Sequence, residues 1–232
     1  MTEPVLITDD AAVVLVGSGA VAAPALRRLA GLGPLVAADG GADRAAGLGL
    51  RPQLILGDMD SIADPGRFPD SRIVPMADQD STDLEKALAA VRAPLVLGFG
   101  FLGRRFDHSL AALHALARAR TGGAVLLVGK HDVVGFSRQK LDLQLAAGSR
   151  FSVWPLTEQR FVSSDGLVWP LDGLVLRPGS RVGTSNRVAD AAAGQVAVRL
   201  IPADNSGYFV LTPPDGLDAM LAAARDGGFA NI

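Results

Sequence analysis

Leu54-Ile55-Leu56-Gly57-Asp58-Met59-Asp60-Ser61 is a short apolar run that stops at a glycine and then delivers two aspartates. Consecutive aliphatic residues with no polar alternation suit a strand buried on both faces, the mark of a parallel sheet. The same arrangement recurs on either side. Leu35 to Ala38 runs into Asp39-Gly40-Gly41, Ile73-Val74 leads to Asp78-Gln79-Asp80-Ser81-Thr82-Asp83, and Leu95 to Phe99 leads through Gly100 and Gly103 to Arg104-Arg105-Phe106-Asp107-His108. Val13 to Val16 and Val125 to Val128 extend the series.

Helical patterns lie between several of these runs. Ala22 to Ala30 carries Pro24 near its start, where proline is tolerated. Leu84, Ala87, Leu88 and Val91 share one helical face, and Thr82 with Glu85 predicts a capping box ahead of them. His108 to Arg120 reads as a further helix with Asp107 as its N-cap. Strands alternating with helices imply βαβ units and a mainly parallel sheet. After about Gly129 the rhythm changes to short β-like runs, Phe151 to Trp154, Leu174 to Leu176, Val196 to Ile201 and Tyr208 to Leu211, separated by turn residues. The expected architecture is an α/β N-terminal domain over residues 1–145 and an all-β sandwich domain over residues 146–232.

Composition narrows the function classes. The chain has 232 residues, 49% of them hydrophobic, enough to bury a substantial core. A net charge of -2 supplies no basic field for nucleic acid. Cysteine is absent, which excludes disulfides and thiolate metal sites and fits a reducing compartment. The three histidines lack zinc-site spacing. No N-terminal signal pattern and no bilayer-length apolar run is present, so a cytoplasmic protein without membrane or nucleic-acid partners is expected.

In open α/β sheets ligands gather at the carboxyl ends of the strands, where these aspartates fall. Taken singly, Asp39-Gly40-Gly41 reads as a turn, Asp83 as a dipole-favouring helix residue and Asp107 as a cap. Taken together, several carboxylates at one edge repel unless a cation neutralises them, and Mg²⁺ characteristically bridges carboxylates to substrate phosphates. Gly40 and Gly41 let backbone N–H groups approach phosphate oxygens, and Arg104 or Arg105 can clamp a phosphate. His108 is either a catalytic base or a helix-start residue. The Gly17-Ser18-Gly19 turn has neither dinucleotide-fingerprint nor Walker A spacing.

The ordered set Ala38-Asp39-Gly40-Gly41-Ala42, Pro52, Gly57-Asp58-Met59-Asp60-Ser61, Asp80-Ser81-Thr82-Asp83 and Arg105-Phe106-Asp107-His108 resembles the signature of the thiamine pyrophosphokinases. Gly166-Leu167-Val168-Trp169-Pro170-Leu171 and Thr184-Ser185-Asn186 resemble that family's thiamine-side segments. The resemblance covers roughly residues 13 to 211. It implies an α/β domain followed by a β-sandwich, in a homodimer with active sites at the subunit interface. It also implies transfer of the pyrophosphoryl group of ATP to thiamine, with Mg²⁺, giving thiamine diphosphate and AMP. On this resemblance Asp58, Asp60, Asp83 and Asp107 are catalytic, with Asp58, Asp60 and Asp83 holding metal. Asp39, Gly40, Gly41, Asp80, Thr82, Arg105 and His108 fall on the ATP side, and Trp169, Ser185 and Asn186 on the thiamine side.

Two positions depart from the family pattern: Gln79 replaces a lysine, and Arg104 replaces a second glycine. Trp169 either stacks on cationic thiamine or packs in the sandwich core. Competing functions are a pyrophosphokinase for another small alcohol such as a pterin, a Mg²⁺-dependent phosphohydrolase, and a non-catalytic thiamine or nucleotide sensor.

Overall fold

Strands buried along their whole length form where the aliphatic runs predict them. The structure, a computed structural model, describes residues 5–76, 80–103, 105–192 and 194–229. Asp78, Gln79 and Arg104 therefore lie outside the described residues. The chain divides into two compact units, one ending at Lys130 and the next beginning at His131.

The first unit contains, in order, β1 (Ile7–Thr8), β2 (Val13–Val16), α1 (Ala23–Leu29), β3 (Leu35–Ala38), α2 (Gly41–Ala46), β4 (Leu54–Gly57), β5 (Arg72–Pro75), α3 (Asp83–Ala90), β6 (Val91–Arg92), β7 (Leu95–Phe99), α4 (Phe106–Arg118) and β8 (Ala124–Val128). Its main sheet has the order β8-β7-β2-β3-β4-β5, and every pairing within it is parallel. All residues of β2, β3, β4, β7 and β8 are buried, as strands covered on both faces require. From β2 the chain steps one way through β3, β4 and β5, then returns to place β7 on the other side of β2. That reversal is a topological switch point, where the loops after two neighbouring strands part and open a crevice.

Helix boundaries follow local chemistry. Pro24 sits in the first turn of α1. The predicted capping box of α3 is formed: Glu85 N–H donates to Thr82 Oγ1 at 3.3 Å, and Thr82 N–H donates to a Glu85 carboxylate oxygen at 2.9 Å. The expectation for α4 needs correction. Its N-cap is Arg105, with no side-chain cap bond, and Asp107 lies inside the first turn. The residues after Asp39, read from sequence as a turn, enter the six-residue helix α2. A Cβ on Gly41 would collide with the Val16 carbonyl oxygen, so this glycine permits α2 to lie against β2.

The second unit contains β9 (Val133–Ser137), β10 (Leu141–Ala146), β11 (Arg150–Pro155), β12 (Phe161–Asp165), β13 (Gly183–Arg187), β14 (Gln195–Pro202), β15 (Tyr208–Thr212) and α5 (Leu217–Arg225). Within it the strands form two antiparallel groups, β13-β11-β15-β9 and β10-β14-β12. An edge-on contact between the Phe161 and Tyr208 rings, with centroids 5.0 Å apart, joins the groups in a shared core. The unit is antiparallel and strand-rich, as expected, with two differences. It closes on α5, whose Leu217, Met220, Leu221 and Ala224 are buried, and Leu174 to Leu176 forms an isolated bridge to Gln159 instead of a strand. The unit also starts ahead of residue 145, because β9 pairs antiparallel with β15 from residue Val133 onward.

Candidate active site

A cleft of about 690 Å³ opens in the first unit. The loop after β2 supplies Gly17, Ser18 and Gly19, and the loop after β7 supplies Gly100, Phe101 and Leu102. These are the two loops that part at the switch point. Their backbones meet closely: Gly19 N–H donates to the Gly100 carbonyl at 3.0 Å, and a Cβ on Gly19 would lie 2.5 Å from that oxygen. The other walls carry Asp58 from the β4 loop, Thr82, Asp83 and Lys86 from the start of α3, and Arg105 and His108 from the start of α4.

Carboxylates concentrate beside this cleft. Asp39, Asp58 and Asp60 each offer an oxygen within 4.8 Å of the others. Asp39 is buried and holds φ at +48°, in the left-handed region that non-glycine residues seldom occupy. Its conformation is fixed by Asp39 N–H donating to Leu56 O at 2.8 Å and by its own side chain accepting from Ser61 N–H at 3.2 Å. Asp83 stands outside the group of three but feels it. Burial pushes its carboxyl above the ordinary range, the Asp39, Asp58 and Asp60 charges raise it further, and Lys86 opposes them.

These donors suit a hard divalent cation. They offer several carboxylate oxygens at close quarters, and the Asp39, Asp58 and Asp60 charges add to burial in raising Asp83 beside them. Asp39, rather than Asp83, completes the close triad with Asp58 and Asp60. Arg105 points two of its guanidinium nitrogens at Asp107, Nη2 to Oδ2 at 2.6 Å and Nε to Oδ1 at 3.1 Å, and those bonds hold the exposed Asp107 carboxyl below its usual range. Asp107 itself does not line the cleft. Gly40 lines a smaller neighbouring cavity with Ser18, Asp43, Arg44 and Ser61, while Gly41 serves helix packing. Asp80 lines neither cavity.

Two features of the cleft escaped the sequence reading. The Gly17-Ser18-Gly19 turn matched no phosphate-loop spacing, yet the β2–β7 adjacency makes it a wall. Lys86 carries no distinguishing signal in the sequence beyond its place in α3 directly after an acidic cap segment, but it is buried and lines the cleft one helical turn from Asp83, whose carboxyl feels its charge.

In the second unit Trp169 is 57% exposed, which removes the core-packing alternative. Ser185 is also exposed and holds φ at +57°, its N–H donating to Ser152 Oγ at 3.0 Å. Asn186 is buried, and its amide is bonded to the backbone of Trp169.

A parallel α/β unit with a carboxylate-flanked, glycine-walled cleft at its strand ends, followed by a unit of two antiparallel sheets, is the class that fold and site define. Family models for the thiamin pyrophosphokinase catalytic domain and for the thiamin pyrophosphokinase vitamin B1 binding domain match residues 33–127 and 138–199, together more than half of the chain. The chain belongs to the thiamin pyrophosphokinase family. It is 28% identical over 152 residues to thiamin pyrophosphokinase 1 of Caenorhabditis elegans, covering 59% of this chain and 63% of that protein. It is 29% identical over 166 residues to thiamine pyrophosphokinase 2 of Arabidopsis thaliana, covering 60% of each. The chain thus spans about three-fifths of the length of the curated relatives it matches. The fold is similar to that of the thiamin pyrophosphokinase from Candida albicans, with a TM-score of 0.72 at 15% identity over 90% of this chain and 92% of the other.

Proposed function

We propose that this chain is a thiamine diphosphokinase, moving the pyrophosphoryl group of ATP onto the hydroxyl of thiamine and releasing AMP. The observation that carries this reading is the cleft at the switch point, where Asp58, Asp83, Lys86 and Arg105 meet two glycine-walled loops beside the Asp39, Asp58 and Asp60 oxygens. Membership of the family supplies the substrate pair.

Pyrophosphoryl transfer asks little covalent chemistry of a protein; positioning and charge compensation dominate. Asp39, Asp58 and Asp60 would hold Mg²⁺, with Asp83 beside them. Bound there, the ion neutralises charge on the polyphosphate oxygens and on the departing AMP. Lys86 meets phosphate from α3 as a buried ammonium. Arg105 exchanges its exposed Asp107 partner for a phosphate, a geometry its planar fork suits. Asp107 then acts by poising Arg105. An aspartate of the cluster accepts the thiamine hydroxyl proton. On the thiamine side, Trp169 offers an exposed aromatic face to a cationic heterocycle, with Ser185 beside the buried Asn186 on β13.

The same reading places the active protein as a homodimer with its sites at the subunit interface. The exposed Phe106 and Leu110 on α4 and the exposed Val162 on β12 support association. No helix among the described residues is long and apolar enough to cross a membrane, and a cytoplasmic location is part of the proposal. A coupled assay for AMP, run with and without thiamine, tests the function. Thiamine-dependent AMP release is the expected result; AMP or phosphate released equally without thiamine would identify a hydrolase, and no turnover with ligand bound would identify a sensor.

A further inference from the structure

An indole left more than half exposed is usually held loosely, yet the chain on both sides of Trp169 is fastened. Val168 N–H donates to Arg187 O at 2.8 Å, and Leu171 N–H donates to Ser164 Oγ at 2.7 Å, with Leu167 and Leu171 buried. Between these points Asn186 grips Trp169 itself. Its Nδ2 donates to the Trp169 carbonyl at 2.7 Å, and its Oδ1 accepts from Trp169 N–H at 3.3 Å and from Arg187 N–H at 2.8 Å. Three bonds of this polarity fix the amide orientation, since the reverse would set its NH₂ against two N–H donors. Both acceptor positions of Oδ1 and one hydrogen of Nδ2 are occupied. Asn186 is 6% exposed, whereas Trp169 is 57% exposed.

We propose that Asn186 is a positioning residue that acts on thiamine only through Trp169, clamping the backbone of that residue so that the indole stands as a preformed platform for a cationic heteroaromatic ring. The proposal rests on the thiamine-side reading of Trp169. It revises the expectation that Asn186 meets the ligand directly. A fixed platform binds better than a mobile one because little side-chain and loop freedom remains to be lost on binding. Ser185, directly before Asn186, holds φ at +57° where the β11–β13 pairing shifts register.

The test uses the full chain with Trp154→Phe, leaving Trp169 as the single indole, since the sequence has two tryptophans. Nanosecond anisotropy decay of Trp169, recorded without ligand, should show larger local motion in Asn186→Ala. Asn186→Ser keeps a short hydroxyl that can serve one of these bonds without burying a charge, so it should fall between the two; it carries the test if the alanine variant does not fold. In steady-state kinetics, Asn186→Ala should raise KM for thiamine about 3- to 30-fold, with kcat and KM for ATP little changed. Trp169→Ala should do the same, and the double variant should be no worse than Trp169→Ala alone, because two residues acting through one contact are not additive. Additive losses, or a raised KM with unchanged indole motion, would overturn the proposal in favour of direct contact. If the wild-type chain turns over no thiamine, the functional reading fails, and the ligand-free anisotropy alone still decides whether Asn186 holds the platform.

Discussion

Charge at single residues governs what the cleft can hold. Asp58 lies both in the close carboxylate group and on the cleft wall, so Asp58→Asn should lower turnover about a hundredfold or more at saturating Mg²⁺ while leaving the thermal midpoint without cation unchanged or raised. Near-normal turnover in that variant would show that Asp58 is not a ligand. Asp83 makes a pH prediction. Its folded pKa is raised above the ordinary 3.8, so the folded state binds more protons than the unfolded state. Its contribution to stability is therefore most favourable below the ordinary value and is lost as pH rises through the folded one. Asp83→Asn should melt higher than wild type at neutral pH without cation, and the difference should shrink as pH falls to about 4. Thermal scans across that range check it; a variant less stable at neutral pH would show that Asp83 is already compensated.

Elements carry those residues to one place, and their ends are where substitution should be felt. Thr82→Ala removes the α3 cap and should cost about 1 kcal/mol of stability, measured by denaturant unfolding, with a larger proportional loss of ATP affinity because α3 presents Asp83 and Lys86. Gly19→Ala forces a methyl group against the Gly100 carbonyl and should cost about 1–3 kcal/mol or reshape both loops, again with loss of ATP binding. Unchanged ATP affinity in both variants would place the nucleotide elsewhere. The strands themselves were legible, because β2, β3, β4, β7 and β8 are apolar runs of four or five residues bounded by turn residues, too short for buried helices. The aspartates at their ends were legible for the same reason: parallel strands bring equivalent ends to one edge. Strand order was not. Only the pairing of β2 with β7 turns Gly17-Ser18-Gly19 into a cleft wall, and no local pattern encodes that neighbour. Lys86 was missed because burial of a charged side chain depends on what packs over its helix. Helix α5 was missed because it follows Pro213-Pro214 as a short segment at the end of a β-rich region, where tertiary burial overrides a weak periodic signal.

For the whole molecule, the proposed homodimer predicts a concentration dependence. Sedimentation should show a dimer, and activity per chain should fall when the protein is diluted below its dissociation constant; a monomer fully active at nanomolar concentration would contradict a site shared between subunits. The chemistry is a separate matter from the assembly. A kinase that grips the terminal phosphate releases ADP, and this chain has neither a Walker A loop nor a kinase-type glycine loop with its catalytic pattern. Its carboxylates and cations are instead distributed along a cleft, with Asp58 and Asp83 on its walls, Asp39 and Asp60 grouped with Asp58, and Lys86 and Arg105 on the walls as well, an arrangement that suits a whole triphosphate during attack at the β-phosphorus. The most direct measurement is chromatography of a single-turnover mixture of the full chain with ATP, Mg²⁺ and thiamine. One AMP formed for each thiamine diphosphate, with no ADP and no thiamine monophosphate, is the predicted result; ADP rising in step with a monophosphate product would contradict pyrophosphoryl transfer.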